Sequence, residues 1–310
     1  MIERALTGDR RYWGWILALV ALITVGSLFY LRQLTVGLTI TGLSRDVTWG
    51  FYIAQFTFMV GVAASAVMVV LPYYLHDYKA FGKMTILGEF LAIPAVIMCM
   101  AFIFVDMGMP NRIVNVFLHP TVHSMMFWDT VALGGYLVLN VLISRVTLQA
   151  ERRGNPPPDW IKPIIILSIP WAISIHTVTA FVYNGLPARP FWNTGVLAPL
   201  FLVSGLSTAA ALVALLTRDH GERAWFTRID IVLIVLELAL VALFIINLAT
   251  GSAAQIQALD CCVMGGAYTF AFWVLFVGIG DGGRWPEGVV VAAEVDVTSI
   301  VSTSMPRNRQ

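Results

Sequence analysis

The sequence predicts an all-α integral membrane protein of about eight transmembrane helices. They are arranged as two bundles related by a parallel repeat, the second of them incomplete. Composition is the first reason. Hydrophobic types make up 58% of the 310 residues, charged types 12%, and mean hydropathy is +0.80. A soluble domain carries about 25% charged residues. Such a chain is neither a cytosolic enzyme, nor a nucleic-acid binder with a basic face, nor a disordered protein. The second reason is the spacing of apolar runs, each near the ~20 residues needed to cross a bilayer. The third is the placement of charge: fifteen of the 19 Lys and Arg residues fall on one side of those runs.

The runs are 13–31, 50–75, 84–108, 122–146, 163–184, 195–217, 226–250 and 263–280. The first follows Arg4, Arg10 and Arg11 with no small-residue cleavage site after it, so it reads as a retained helix rather than a signal peptide. The basic side comprises the N-terminus, the segments after the second, fourth and sixth runs, and the tail. By the positive-inside rule this places both termini in the cytoplasm, in a cell (inner) membrane. The loops 32–49, 109–121, 185–194 and 251–262 then face outward. They are apolar for loops and nearly uncharged, which suits either docking of another protein or packing on helix ends.

An internal repeat organises the runs. Small residues fill 61–67 in the second run and 205–211 in the sixth, a composition that lets helices approach closely. Each is followed by a polar turn (His76-Asp77; Arg218-Asp219-His220) and then by a helix with a buried acid, Glu89 or Glu237. Phe127-Trp128 in the fourth run is matched by Phe272-Trp273 in the eighth. The offsets are nearly constant, 144 to 148 positions, and matched runs point the same way, the mark of a parallel repeat. The division that follows is an N-terminal helix and outer loop (1–49), a first four-helix bundle (50–184), a second bundle lacking its fourth helix (185–280), and a tail outside the membrane (281–310). That tail, with Gly282, Gly283, Arg284, Pro286 and four acids, cannot span and reads as a truncated or altered C-terminus.

Ionisable residues within apolar runs are costly and are functional candidates by default. The third run carries Glu89 near its cytoplasmic end and Asp106 near its outer end. The fourth carries His123 at its mouth and Asp129 about two turns in. The fifth carries His176, with Thr179 and Tyr183 following on the same stripe. The second offers Tyr52 and Gln55 near the same surface. Tyr52, Gln55, Asp106, His123, Asp129 and His176 are therefore expected to converge on the outer half of the first bundle. Nothing comparable is expected at that level of the second, where Val274 stands opposite Asp129 in the repeat. His123 and Asp129 are six positions apart, about 240° around a helix, and do not share one face. Carboxylates and imidazoles held out of water can bind and release protons. A quinone ring needs such a site: a donor to each carbonyl oxygen, and an acid or base to exchange protons on reduction. Asp129 and His176 are the expected proton donors or acceptors, with Asp129 paired to His176 as the purely structural alternative. Glu89 is either a proton path toward Asp129 or a partner of Lys83. Cys99, Cys261 and Cys262 have no metal-ligand spacing, so no iron–sulfur, zinc or c-type haem site and no other metal site is expected.

Further residues carry a resemblance. Ser44-Arg45-Asp46, Trp49-Gly50-Phe51-Tyr52, Gln55-Phe56, the small run from Gly61 and Leu71-Pro72-Tyr73-Tyr74-Leu75-His76 resemble the NrfD/polysulfide-reductase membrane-subunit family. The match continues through Gly88-Glu89-Phe90, Asp106, His123 and Phe127-Trp128-Asp129, and is nearest the DsrP branch that serves the Dsr sulfur-metabolism redox complex. The resemblance implies a subunit that interacts with an exchangeable quinone or menaquinone and has no iron–sulfur cluster of its own. It implies electron exchange with a ferredoxin-like iron–sulfur subunit docked on the outer face, and onward with haem-bearing and cytoplasmic subunits. It also implies a quinone site in the first bundle near the outer surface, with Asp106 and Arg45 shaping its mouth. Members of this branch have ten helices, against eight here.

Two other readings compete. A secondary transporter also uses repeats and midplane acids, but Pro94 and Pro170 have no repeat partners to mark paired helix breaks. A haem-b quinone oxidoreductase subunit needs two facing histidines, and only His123 and His176 lie suitably in membrane segments. The quinone reading expects no Soret band in the optical spectrum of the purified chain; a haem Soret band would move the assignment to the haem subunit.

Overall fold

The computed structural model describes residues 8–43, 49–63, 82–153, 157–217 and 220–274; at 82–87, 89, 90 and 151 it describes the backbone alone. Every extended element among them is helical: α1 Arg10–Val36, α2 Phe51–Ala63, α3 Gly82–Asp106, α4 Asn115–Leu118, α5 Met125–Arg152, α6 Lys162–Asn184, α7 Leu197–Leu216, α8 His220–Ala249 and α9 Ala253–Cys262. Five of these helices are long and apolar enough to cross a membrane. There are six if α3 and the segment 110–118, bent from it by 120°, count as one. The expected all-helical membrane fold is what forms. The remainder of the second expected span, the end of the eighth and the tail 281–310 lie outside the described residues, as does Arg45.

The helix ends follow local chemistry. Asp9 caps α1 by accepting from the backbone N–H groups of Arg11 (2.8 Å) and Tyr12 (2.9 Å), satisfying donors that have no intrahelical partner. The helix runs on to Val36, five residues past the expected span, and stops at Gly37, whose φ of +96° suits glycine. The outer segments are less loop-like than expected. Leu38–Thr41 and Pro110–Arg112 form 3-10 turns, and Asn115–Leu118 is a short helix.

The largest departure concerns 251–262, expected as a loop. Ser252 caps a helix there, with its hydroxyl toward the N–H of Gln255 and the Gln255 side chain returned to the N–H of Ser252 at 2.8 Å, the reciprocal capping box. The chain then turns through 263–268, with Gly265 at φ +128°. Helical backbone resumes only at 269, so the eighth expected span does not begin at Val263.

The chain divides into two compact units, Met1–Phe56 with Met100–Pro120, and Thr57–Cys99 with Thr121–Gln310. In the first, Gln33 is 4% exposed although it lies on an otherwise apolar, exposed helix. Its amide donates to the carbonyl of Val105 (2.7 Å) and accepts from the Tyr52 hydroxyl (2.9 Å). Val105 belongs to the last turn of α3, where carbonyls lack helical partners, so one glutamine satisfies a helix end and fixes a tyrosine.

The second unit holds the main core. Contacting pairs run in opposite directions along neighbouring helices, which makes those helices antiparallel. Trp171 of α6 donates to the carbonyl of Ala132 in α5, while Ile161 and Ile165 cluster with Ile143. Tyr183 of α6 packs edge-on against Phe201 of α7. Ser207 of α7 bonds Asp230 of α8. The buried positions of α8, namely Phe226, Asp230, Ile234, Glu237, Val241, Phe244 and Leu248, recur every three or four residues and so form one stripe. Val232, Val235, Leu236, Leu243 and Ile246 cover its other side and are exposed, as a helix surrounded by hydrocarbon requires. On α7 both Gly205 and Ser207 are buried; two residues apart on a helix they face opposite ways, so α7 is packed on both sides.

The α5–α6 contact depends on a glycine. A Cβ at Gly135 would stand 2.3 Å from Cζ2 of Trp171, whereas one at Gly134 meets nothing within 4 Å. Gly135→Ala is expected to lower stability by roughly 1–3 kcal/mol through overpacking. Gly134→Ala should stay within about 0.5 kcal/mol. Thermal unfolding of the detergent-solubilised protein checks the pair.

Candidate functional site

The site is built where α5, α6 and α7 of the second unit meet the end of α2. Asp129 lies four residues into α5, ~6 Å from its start at 1.5 Å per residue, because the helix begins at Met125 rather than at the expected 122. It is 6% exposed. Its Oδ1 accepts from the Thr179 hydroxyl at 2.7 Å. The carboxylate is thus paired with Thr179 rather than with His176, which corrects the structural pairing considered from sequence.

His176 lies one turn from Thr179 on the same face of α6 and is 2% exposed. Its Nδ1 is 2.9 Å from the carbonyl of Ala172. A carbonyl only accepts, so Nδ1–H donates, and in the neutral ring Nε2 carries the lone pair. That Nε2 is buried and has no hydrogen-bond partner. It rests against α7 at Gly205, where a Cβ would come within 2.4 Å of it. Gly61 of α2 lies against Gly205, and its added Cβ would lie 3.4 Å from the Gly205 Cα. Toward the helix ends Tyr183 continues the stripe. Its hydroxyl shares a 2.5 Å hydrogen bond with Thr57, and its ring packs edge-on against Trp192 and Phe201.

The structure therefore brings Asp129, Thr179 and His176 together. Tyr52, Gln55 and Asp106 are half-buried residues of the first unit. The Tyr52 hydroxyl is already given to Gln33, and Oδ1 of Asp106 is buried without a hydrogen-bond partner. His123 is exposed on irregular chain ahead of α5, because the helix starts after Ser124; the expected position at a helix mouth is corrected accordingly. Glu89 lies on α3 with its side chain outside the described residues, as Arg45 is entirely. Among the described residues no group of three or more His, Cys, Asp or Glu is placed to hold a metal ion.

Gln33 and Asp230 are among the buried polar residues absent from the expected site. Gln33 lies just past the first apolar run, in the expected outer loop 32–49, and looks like one more interfacial residue. Asp230 lies seven positions before Glu237, two turns along the same stripe, which is the signal that could have found it. It is 7% exposed and accepts from the Ser207 hydroxyl at 2.6 Å. Glu237 is 2% exposed and lies 17 residues past the start of the 30-residue α8, just beyond its midpoint. The helix α8 thus carries two buried acids.

Thr179→Val removes the donor to Asp129 while keeping the side-chain shape. Leaving the buried carboxylate one bond short is expected to cost about 1–3 kcal/mol. Thr179→Ser should restore most of it, both measured by thermal unfolding of the solubilised protein.

Residues 39–281 match the family described as polysulphide reductase, NrfD. Among curated relatives, a Halobacterium salinarum protein named for a membrane subunit of dimethyl sulfoxide reductase is 29% identical over 240 residues, covering 67% of this chain and 54% of the relative. A Mesobacillus selenatarsenatis protein named for a subunit of selenate reductase is 21% identical over 66% of this chain and 56% of its own length. Protein NrfD of Escherichia coli is 26% identical over 76% of this chain and 82% of its own length. The chain spans about half the length of the first two. A family match over most of the chain, on helices of this length and apolarity, makes this chain a multi-pass integral membrane member of the NrfD polysulphide reductase family.

Proposed function

We propose that this chain is the quinone-interacting membrane subunit of a respiratory redox complex. It passes electrons between the quinone pool and an iron–sulfur subunit docked at the Asp129 end of the bundle, in sulfur (sulfite or sulfate) metabolism. The observation that carries the reading is the buried Asp129–Thr179 pair one helical turn from His176, whose Nε2 has no partner.

Oxidation of a quinol releases two electrons and two protons. The Nε2 lone pair is suited to take one hydroxyl proton. The Asp129 carboxylate, held by Thr179, is suited to take or pass on the second. In the reverse direction the same groups return protons to the carbonyl oxygens of a quinone. The apolar surroundings of both groups favour an uncharged, lipid-soluble molecule over a charged one. The electrons leave to the docked partner, since this chain offers no metal-ligand spacing of its own.

Several further facts support the reading. An Archaeoglobus fulgidus protein that is 21% identical over 68% of this chain is named as the integral membrane subunit of an Hdr-like menaquinol oxidoreductase, which supports menaquinone as the carrier. The relatives named for reductase subunits support a multi-subunit assembly. The resemblance to Dsr-type subunits read from the sequence is the ground for proposing sulfur chemistry and further haem-bearing and cytoplasmic partners. The excess of Lys and Arg on one side supports an inner-membrane protein with both termini cytoplasmic. Glu89, on the part of α3 nearer that side, is the proposed point of proton exchange with the cytoplasm.

Asp129→Asn keeps the size and the bond from Thr179 but removes the proton-accepting charge. In membranes holding the complete complex, quinol-dependent electron transfer is expected to fall at least 100-fold while partner subunits still co-purify in normal amounts. Undiminished turnover would reject the role of Asp129 and with it this assignment of the site.

A further inference from the structure

At Gly205 of α7 a buried, partnerless side-chain nitrogen of α6 meets the backbone of the neighbouring helix. Gly205 is not simply a small residue at a helix crossing. The space its missing Cβ would occupy is filled by the imidazole edge of His176, with Nε2 at 2.4 Å and Cδ2 at 2.7 Å from the Cβ position. The opposite edge of the ring is held by the Nδ1–H bond to Ala172. The ring is therefore fixed at two points: a hydrogen bond to its own helix, and a seat on the backbone of the next. We infer that Gly205 is a positioning residue for His176, setting the tautomer and depth at which Nε2 is presented to a quinol hydroxyl. This rests on the functional reading above and deepens it.

The physical basis is steric and electrostatic together. A side chain at 205 would push the ring out of its seat and lengthen or break the Nδ1–H bond. The tautomer would then be free to invert, leaving a protonated Nε2 that cannot accept from a quinol. Because proton acceptance belongs to the chemical step, displacement should lower kcat more than it raises KM. Gly61 supplies the control. Its added Cβ would touch the Gly205 Cα at 3.4 Å, an ordinary van der Waals distance, and reaches no atom of His176 within 4 Å. A substitution there tests the helix crossing without touching the ring.

The test uses the complete complex in membranes with a water-soluble quinol as electron donor, comparing Gly205→Ala, Gly61→Ala and His176→Gln. Gly205→Ala is expected to lose at least tenfold in kcat, with KM changed less than threefold and normal co-purification of partners. Gly61→Ala should remain within about threefold of wild type in both parameters. If Gly61→Ala is impaired as severely as Gly205→Ala, the effect lies in helix packing and the positioning role is overturned. If His176→Gln is inactive while Gly205→Ala turns over normally, the quinol reading stands and the positioning role alone is lost. If His176→Gln turns over normally, the use of the imidazole fails and the inference with it. An independent readout covers a Gly205→Ala complex that does not assemble. Nitrogen-15 NMR of histidine-labelled wild type, assigned by the signal missing in His176→Gln, should show Nδ1 protonated and Nε2 bare; a protonated Nε2 at neutral pH overturns the proposal.

Discussion

Inside hydrocarbon no water is at hand, so each buried polar group must find its partner in the protein. That constraint accounts for most of the polar geometry in this chain. Asn140, Thr147, Ser168 and Thr217 return their side chains to carbonyls of their own helices, a local solution that leaves them chemically quiet. Tyr136 and Trp171 reach carbonyls of neighbouring helices instead, Ala63 and Ala132, and so tie α5 to α2 and to α6. Asp129 and Asp230 take hydroxyls from facing helices. His176 solves half of its problem by bonding Ala172 and leaves Nε2 unsolved, as Tyr30, Asp106 and Ser144 each leave an oxygen.

Close approach of helices is the companion constraint. Without a hydrophobic force between helices in lipid, association depends on tight packing and small residues. Gly135 admits the Trp171 ring and Gly205 admits the His176 ring, so two aromatic side chains of α6 are set by glycines on its two neighbours. Gly61 and Gly205 are the positions that the internal repeat equates, and they lie against one another.

Much of the chemistry could be read from residue types alone. Asp129, His176 and Thr179 were legible because a charged or polar residue in an apolar run has few reasons to be there, and because a spacing of three puts His176 and Thr179 on one helix face. His123 was misread since the sequence does not say where α5 begins; a start at Met125 turns a supposed helix-mouth residue into part of an exposed segment. Asp230 was passed over although it shares a stripe with Glu237, and Gln33 gave no periodic signal. The helix α9 was missed because the segment is short and weakly apolar, although Ser252 and Gln255 spell a capping box.

Residue order alone dictates the solvent. Apolar runs and a scarcity of charge demand helices in a membrane, since only structures that satisfy their own backbone groups survive there. Residue order also marks which side chains are chemically capable. Which of them meet is a matter for the packed bundle. Asp129 bonds Thr179 rather than His176, Tyr52 is taken up by Gln33, and a glycine on a different helix faces His176. Those pairings depend on the rotation and depth of each helix against its neighbours. Packing across the bundle sets both, through contacts between residues as far apart in the chain as Gly61 and Gly205, and no local pattern of residues encodes them.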